Sequence, residues 1–129
     1  MNLPQHLLSQ ICNWTCISGT GTIFMQDRTF RDVSVVGYFK MYHWWFIVHR
    51  DISYPDCYIV SEASTGCAIM EYCYDTVRDA VESALPIIKA KRYYFFTSTK
   101  EKLTKYRYSL LNRNLNIQTL SIDSALWIL

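Results

Sequence analysis

The hydrophobic positions change period several times along the chain. Behind Pro4, a residue suited to a first helical turn, Leu7, Leu8 and Ile11 recur at helical spacing and predict a short helix over residues 4–13. From Trp14 glycines and β-branched residues take over. The run TCISGTGTIFMQ predicts a turn at Ser18–Gly21 followed by a strand over Thr22–Gln26. DRTFRD supplies a polar connection, VSVVGYF resumes the strand pattern, and Gly37 marks a bulge or a close backbone approach. The stretch GYFKMYHWWFIVHR, residues 37–50, then abandons alternation. Its odd positions hold Phe39, Met41, His43, Trp45, Ile47 and His49, and its even positions Tyr38, Lys40, Tyr42, Trp44, Phe46 and Val48. Successive strand side chains point to opposite faces, so this run reads as a strand covered on both sides through residues 44–48, near the centre of a sheet.

After the turn-like DISYPD, CYIVSE and CAIMEY are two further β runs. They are joined by AST and Gly66, whose access to positive φ suits a tight hairpin. The helical period returns at Asp75. Val77, Ala80, Val81, Ala84 and Ile88 form an apolar stripe, Asp75 or Thr76 is the cap, and Pro86 predicts a kink or a break. RYYFF, residues 92–96, is a last strand or the buried end of that helix. Ser98 to Glu101 matches a capping box opening another helix, with Leu103, Tyr106, Leu110 and Leu111 on one side and Asn112 to Asn114 at its end. The tail LNIQTLSIDSALWIL reads as a docked strand with an irregular end. Together these elements predict one α+β domain over residues 1–129: an antiparallel sheet of four to five strands with two or three helices packed on one face.

Composition adds the question of surface. Half of the residues are hydrophobic and 16% aromatic, against 19% charged. Such a chain buries enough apolar area to exclude disorder, and carries more ring area than a single small core hides. An interface, with another protein or a second copy, is the natural outlet. No apolar run approaches the roughly 18–20 residues of a membrane span. The five cysteines are odd in number and form no C-x-x-C, and the start lacks the basic and apolar regions of a signal peptide. They read as reduced, mostly buried thiols of a cytoplasmic protein.

The chemistry-bearing residues are dispersed. His6, His43 and His49 are the imidazoles, and their spacing assembles no metal site, so neither metal nor cofactor is expected. Cys57, His49 and Asp51 are the ingredients of nucleophilic catalysis without a signature joining them, and Gly19–Gly21 falls short of a phosphate loop. An enzyme is not expected. Charge is uneven: residues 61–90 hold two basic and five acidic groups, residues 91–129 seven basic and two acidic. The basic and aromatic segment 89–113, with Lys102, Lys105 and Arg107, supports an alternative reading as a single-stranded nucleic-acid binder, although a solvated amphipathic helix has the same pattern. The favoured reading is a non-enzymatic protein-binding module. Tyr42 and Trp44 are its aromatic anchors, and Asp79 and Glu82 a carboxylate display toward a basic, nucleic-acid-handling partner. The plainer role for acids at that position is to complement the helix N-terminus.

YIVSEASTGCAI followed by YDTVRDAVESA, within residues 58–84, resembles small accessory proteins of phages and mobile elements. In these a hairpin with a Thr-Gly turn precedes an Ala-rich helix opened by Asp-Thr. The resemblance implies a binder of a host protein, with inhibitors of defence nucleases of the anti-CRISPR type among the possibilities, and carries over no site residue.

Overall fold

The computed structural model describes residues 2–42, 44–92 and 105–116. A short helix α1 (Gln5–Leu8) leads into four strands, β1 (Cys12–Phe24), β2 (Phe30–Met41), β3 (Trp44–Arg50) and β4 (Tyr58–Glu62). Helices α2 (Val77–Ala90) and α3 (Lys105–Asn114) follow. The strands form one antiparallel sheet in the order β1-β2-β3-β4, and the domain is α+β. The expected strand or helix end at 92–96 falls almost wholly outside the described residues; the capping box at 98–101 and the tail beyond Asn116 lie outside them.

The ring-rich run is two strands, not one. β2 ends at Met41, β3 begins at Trp44, and these two are ladder partners. Tyr42 turns the chain between them with φ of 53°. Folding the run on itself stacks Phe39 on Phe46 with centroids 5.4 Å apart and sets Tyr38 edge-on to Trp45 at 5.7 Å. Such pairs add about 0.5–1.5 kcal/mol each beyond their buried area. Coverage on both faces holds: every β3 residue from Trp44 to His49 is buried, and β3 is an interior strand.

Two further expectations are corrected. Ser18–Gly21 is no turn, because β1 runs straight through it. Those glycines serve close packing instead. A Cβ at Gly19 would lie 2.9 Å from Asn116 Nδ2, and one at Gly21 2.8 Å from Asn114 Oδ1, so the end of α3 rests directly on the strand. Gly37 does meet both of its expectations: the ladder to β3 shifts between Val35 and Gly37, and the Trp14 indole lies on the bare backbone. The first helix is a single turn, because strand β1 already begins at Cys12.

The sheet curls. The ladder between β2 and β3 stops at Val35 and His49, so the tip of the β1–β2 hairpin projects beyond β3. Yet the Phe24 amide donates to the Gly66 carbonyl at 2.9 Å, and Gly66 follows β4, whose last residue, Glu62, pairs with Phe46. The tip therefore turns back toward the far end of β3, and the register shifts in the first two ladders supply the bend.

The tight turn at Gly66 forms as expected, but the hairpin of two strands does not. Gly66 has φ of 73° and donates its amide to the Glu62 carbonyl at 2.8 Å. Its second arm is not a strand; it meets β4 only at isolated bridges, Ser61 with Ala68 and Tyr58 with Tyr74. In α2, Thr76 Oγ1 accepts from the Asp79 amide at 3.0 Å, and Val77, Ala80, Val81, Ala84, Leu85 and Ile88 are buried. The helix packs on β4 and β3. It continues through Pro86 without a break. In α3, Leu110 and Leu111 are buried and Asn114 ends the helix, as the pattern predicts.

Candidate functional site

Curling the hairpin tip toward β4 leaves a cleft of about 860 Å³ between them. Ile23 and Phe24 from the tip, Ile59 from β4 and Ile69 from the segment after Gly66 give it apolar walls. Met25, Ile52, Met70 and Tyr72 stand around it, with Arg28, Asp51, Glu71 and Lys91 as its charged groups. The size and lining fall in the range of ligand and side-chain pockets.

His49 and Ser61 border this cleft from beneath. They are diagonal neighbours on the β3–β4 ladder, in which His49 pairs with Ile59 and Ile47 with Ser61. His49 Nδ1 lies 2.9 Å from the Arg50 carbonyl, which can only accept, so the ring proton sits on Nδ1. Nε2 then accepts from Ser61 Oγ at 2.7 Å. Burial pushes the imidazole below its ordinary value, opposed by the Arg50 carbonyl and the charge of Asp51. A neutral base holding a serine proton is the arrangement of an activated nucleophile. However, His49 is 1% exposed and Ser61 0%, so the pair satisfies buried polar groups and offers no surface to a substrate. The sequence placed His49 beside Cys57 and Asp51 as separate ingredients; its actual partner is Ser61.

A second polar cluster shapes the Gly66 turn. The buried Glu62 carboxylate accepts from Ser64 Oγ at 2.6 Å and from the Thr65 amide and hydroxyl at 2.7 Å. Arg107 Nη2, from α3, donates to Ser64 Oγ at 3.2 Å. Asn114 closes the same region: Nδ2 donates to the Ala63 and Thr22 carbonyls, and Oδ1 accepts from the Thr22 amide. No strand alternation or helical stripe signals the Arg107 and Asn114 contacts, because their partners are 43 to 92 residues apart.

The residues expected to contact a partner do not converge. Tyr42 is 37% exposed at the β2–β3 turn, but Trp44 is only 3% exposed. Trp44 belongs to the core, since its neighbours on the central strand β3 are buried too, and it is withdrawn as an anchor. Asp79 and Glu82 are exposed on α2, and Glu82 lies 3.9 Å from Arg78 one turn away. For the nucleic-acid alternative, Lys102 lies outside the described residues and Lys105 opens α3. Arg107 is half-buried against Ser64. The thiols also differ from expectation. Cys12, Cys16 and Cys67 are exposed and Cys57 and Cys73 half-buried, because β1 and the arm after Gly66 turn these positions outward. Exposed rings instead include Tyr54 at 67% and Tyr72 at 72%, in loops where no alternation marks a face.

Among the described residues no three or more His, Cys, Asp or Glu side chains are grouped to hold a metal ion, and no helix is long and apolar enough to cross a membrane. Compared with known proteins, the chain matches no family model, no curated sequence and no solved structure.

Proposed function

We propose that this chain is a non-enzymatic binding module for another protein, and that the cleft between the β1–β2 tip and the arm after Gly66 is its contact surface. The observation that carries the reading is the exposure of Tyr72 at the rim of an apolar-walled cleft. Tyr54, 67% exposed, belongs to the loop whose first residues, Asp51 and Ile52, line the same cleft, although it does not line the cleft itself. Exposed tyrosines around an apolar depression are the usual anchors of a protein interface. Among the described residues the rings that reach the surface are Phe30, Tyr42, Tyr54 and Tyr72, while Trp44 and Trp45 are consumed by the core. The resemblance of residues 58–84 to phage and mobile-element accessory proteins supports a host protein as partner, with inhibition of a defence nuclease as the finer reading.

The test is affinity capture from a host lysate with the full chain as bait, beside Tyr72→Ser and Tyr54→Ser variants. The reading expects a protein retained by the wild type at high salt and released by the Tyr72 variant. Capture equally strong with both variants would remove the cleft as the contact surface. A salt-sensitive shift of labelled single-stranded DNA or RNA would favour the nucleic-acid alternative instead.

A further inference from the structure

We propose that Arg28 selects the partner of the cleft by pairing with a carboxylate on the segment that fills the trough. The inference rests on the cleft being the contact surface, and adds the chemistry of its occupant.

Arg28 stands where the backbone favours a different residue. At the tip of the β1–β2 hairpin the Met25 amide donates to the Thr29 carbonyl at 2.8 Å, and the Arg28 amide to the Met25 carbonyl at 3.0 Å. Gln26, Asp27 and Arg28 form the loop between them, and Arg28 takes its left-handed position with φ of 65°. Glycine is the usual residue there, because a Cβ crowds the neighbouring carbonyl oxygen. Among the described residues Asn13 and Asn116 also have positive φ, but asparagine tolerates it. Of the other two such residues, Tyr42 lies at the far end of β2, and Arg28 lines the cleft. A strained position kept at the rim of a binding surface points to a use for its side chain.

The guanidinium is free to serve a partner. The adjacent Asp27 carboxylate is occupied by the Thr29 amide, at 3.0 Å, and by the Thr29 hydroxyl. Arg28 has no ion pair and no side-chain hydrogen bond among the described residues, and it is exposed. It is the charged group of the tip wall, beside the apolar Ile23 and Phe24. Glu71 is the charged group of the facing wall, beside Ile69, and the two do not pair. At the floor end, Asp51 accepts from the Tyr54 amide at 3.0 Å. A segment lying between the walls therefore meets a cation on the tip side, where the fork of Arg28 fits a carboxylate bidentately. The apolar walls sharpen the choice. An occupant without an acid would strip water from the guanidinium and give nothing back, so it is rejected as actively as an acidic one is favoured.

The experiment pans a phage-displayed library of random peptides against the full chain and measures Kd for the selected peptides by fluorescence anisotropy. The wild type should select peptides that join large apolar side chains to an Asp or Glu. Arg28→Gly should bind them roughly tenfold or more weakly. Arg28→Glu should select Lys or Arg in place of the acid. In urea, Arg28→Gly should unfold at the wild-type midpoint or above it, because glycine relieves the left-handed position. A fall of more than about 0.5 M would make Arg28 a structural residue and overturn the proposal. An empty selection, selected peptides without an acid, or equal binding to wild type and Arg28→Gly would overturn it as well. In the last two cases, weaker binding to Tyr72→Ser would still leave the cleft as the contact surface. Peptides held equally by wild type and Tyr72→Ser would remove the cleft itself, and this proposal with it. Arg28-dependent binding of labelled single-stranded DNA in place of acidic peptides would assign the guanidinium to a phosphate and overturn the carboxylate.

Discussion

Replacing Asn114 tests whether long-range polar contacts hold the curled sheet together. Its side chain is fully buried and makes three hydrogen bonds to main chain: 2.6 Å from the Thr22 amide, 3.0 Å to the Thr22 carbonyl and 2.8 Å to the Ala63 carbonyl. Alanine removes all three and leaves the Thr22 and Ala63 groups without these partners. A hydrogen bond contributes about 0.5–1.5 kcal/mol net, and an orphaned buried group costs about 1–3 kcal/mol. Asn114→Ala should therefore cost about 3–5 kcal/mol, a large part of the roughly 5–15 kcal/mol that stabilises a domain. With a urea slope near 2 kcal/mol/M, the unfolding midpoint should fall by about 2 M. Asn114→Asp is the sharper variant. It keeps the shape and the acceptor for the Thr22 amide, but sets a carboxylate oxygen against two carbonyls. It should lose nearly as much at pH 7, and regain part of the loss in acid, where the protonated carboxyl donates one bond again. A loss under about 1 kcal/mol for both variants would refute the argument and show that solvent serves these groups equally well.

Four further outcomes follow from the same contacts. Gly66→Ala forces a side chain into positive φ and places its Cβ 2.9 Å from the Phe24 amide nitrogen and 3.0 Å from Ile23 Cα, neither of which can yield. Denaturant melts should show a loss of about 2 kcal/mol or more. Trp44→Ala empties a core site and should cost about 3–5 kcal/mol by the same assay, whereas an unchanged midpoint would return Trp44 to the surface. Because burial lowers the His49 value below its ordinary 6.5, the unfolded chain binds the extra proton first. Stability should be full above about pH 6.5 and decline as pH falls toward the lowered folded value, and His49→Gln should flatten that slope in pH-dependent urea melts. Tyr72→Ser, at a side chain 72% exposed, should leave the midpoint within about 0.5 kcal/mol of wild type, so that any binding loss reports the interface.

What the sequence determined by itself is the set of features that depend on near neighbours. Thr76 as a cap, the α2 stripe from Val77 to Ile88, positive φ at Gly66 and an interior strand through residues 44–48 were all legible, because each arises within a few positions of the chain. The tertiary structure decided the rest. The ring-rich run divides at Tyr42 because pairing Met41 with Trp44 and stacking Phe39 on Phe46 buries rings that a single strand would leave further apart. Gly19 and Gly21 look like a turn locally, and are strand residues because α3 needs their bare backbone. The candidate cleft is of the same kind. Its walls come from residues 23–28, 49–61 and 66–72 and from Lys91, and neither helical nor strand period relates positions so far apart. Hydrophobic spacing specifies which face of an element is buried, but only the packed fold determines which distant surfaces meet there.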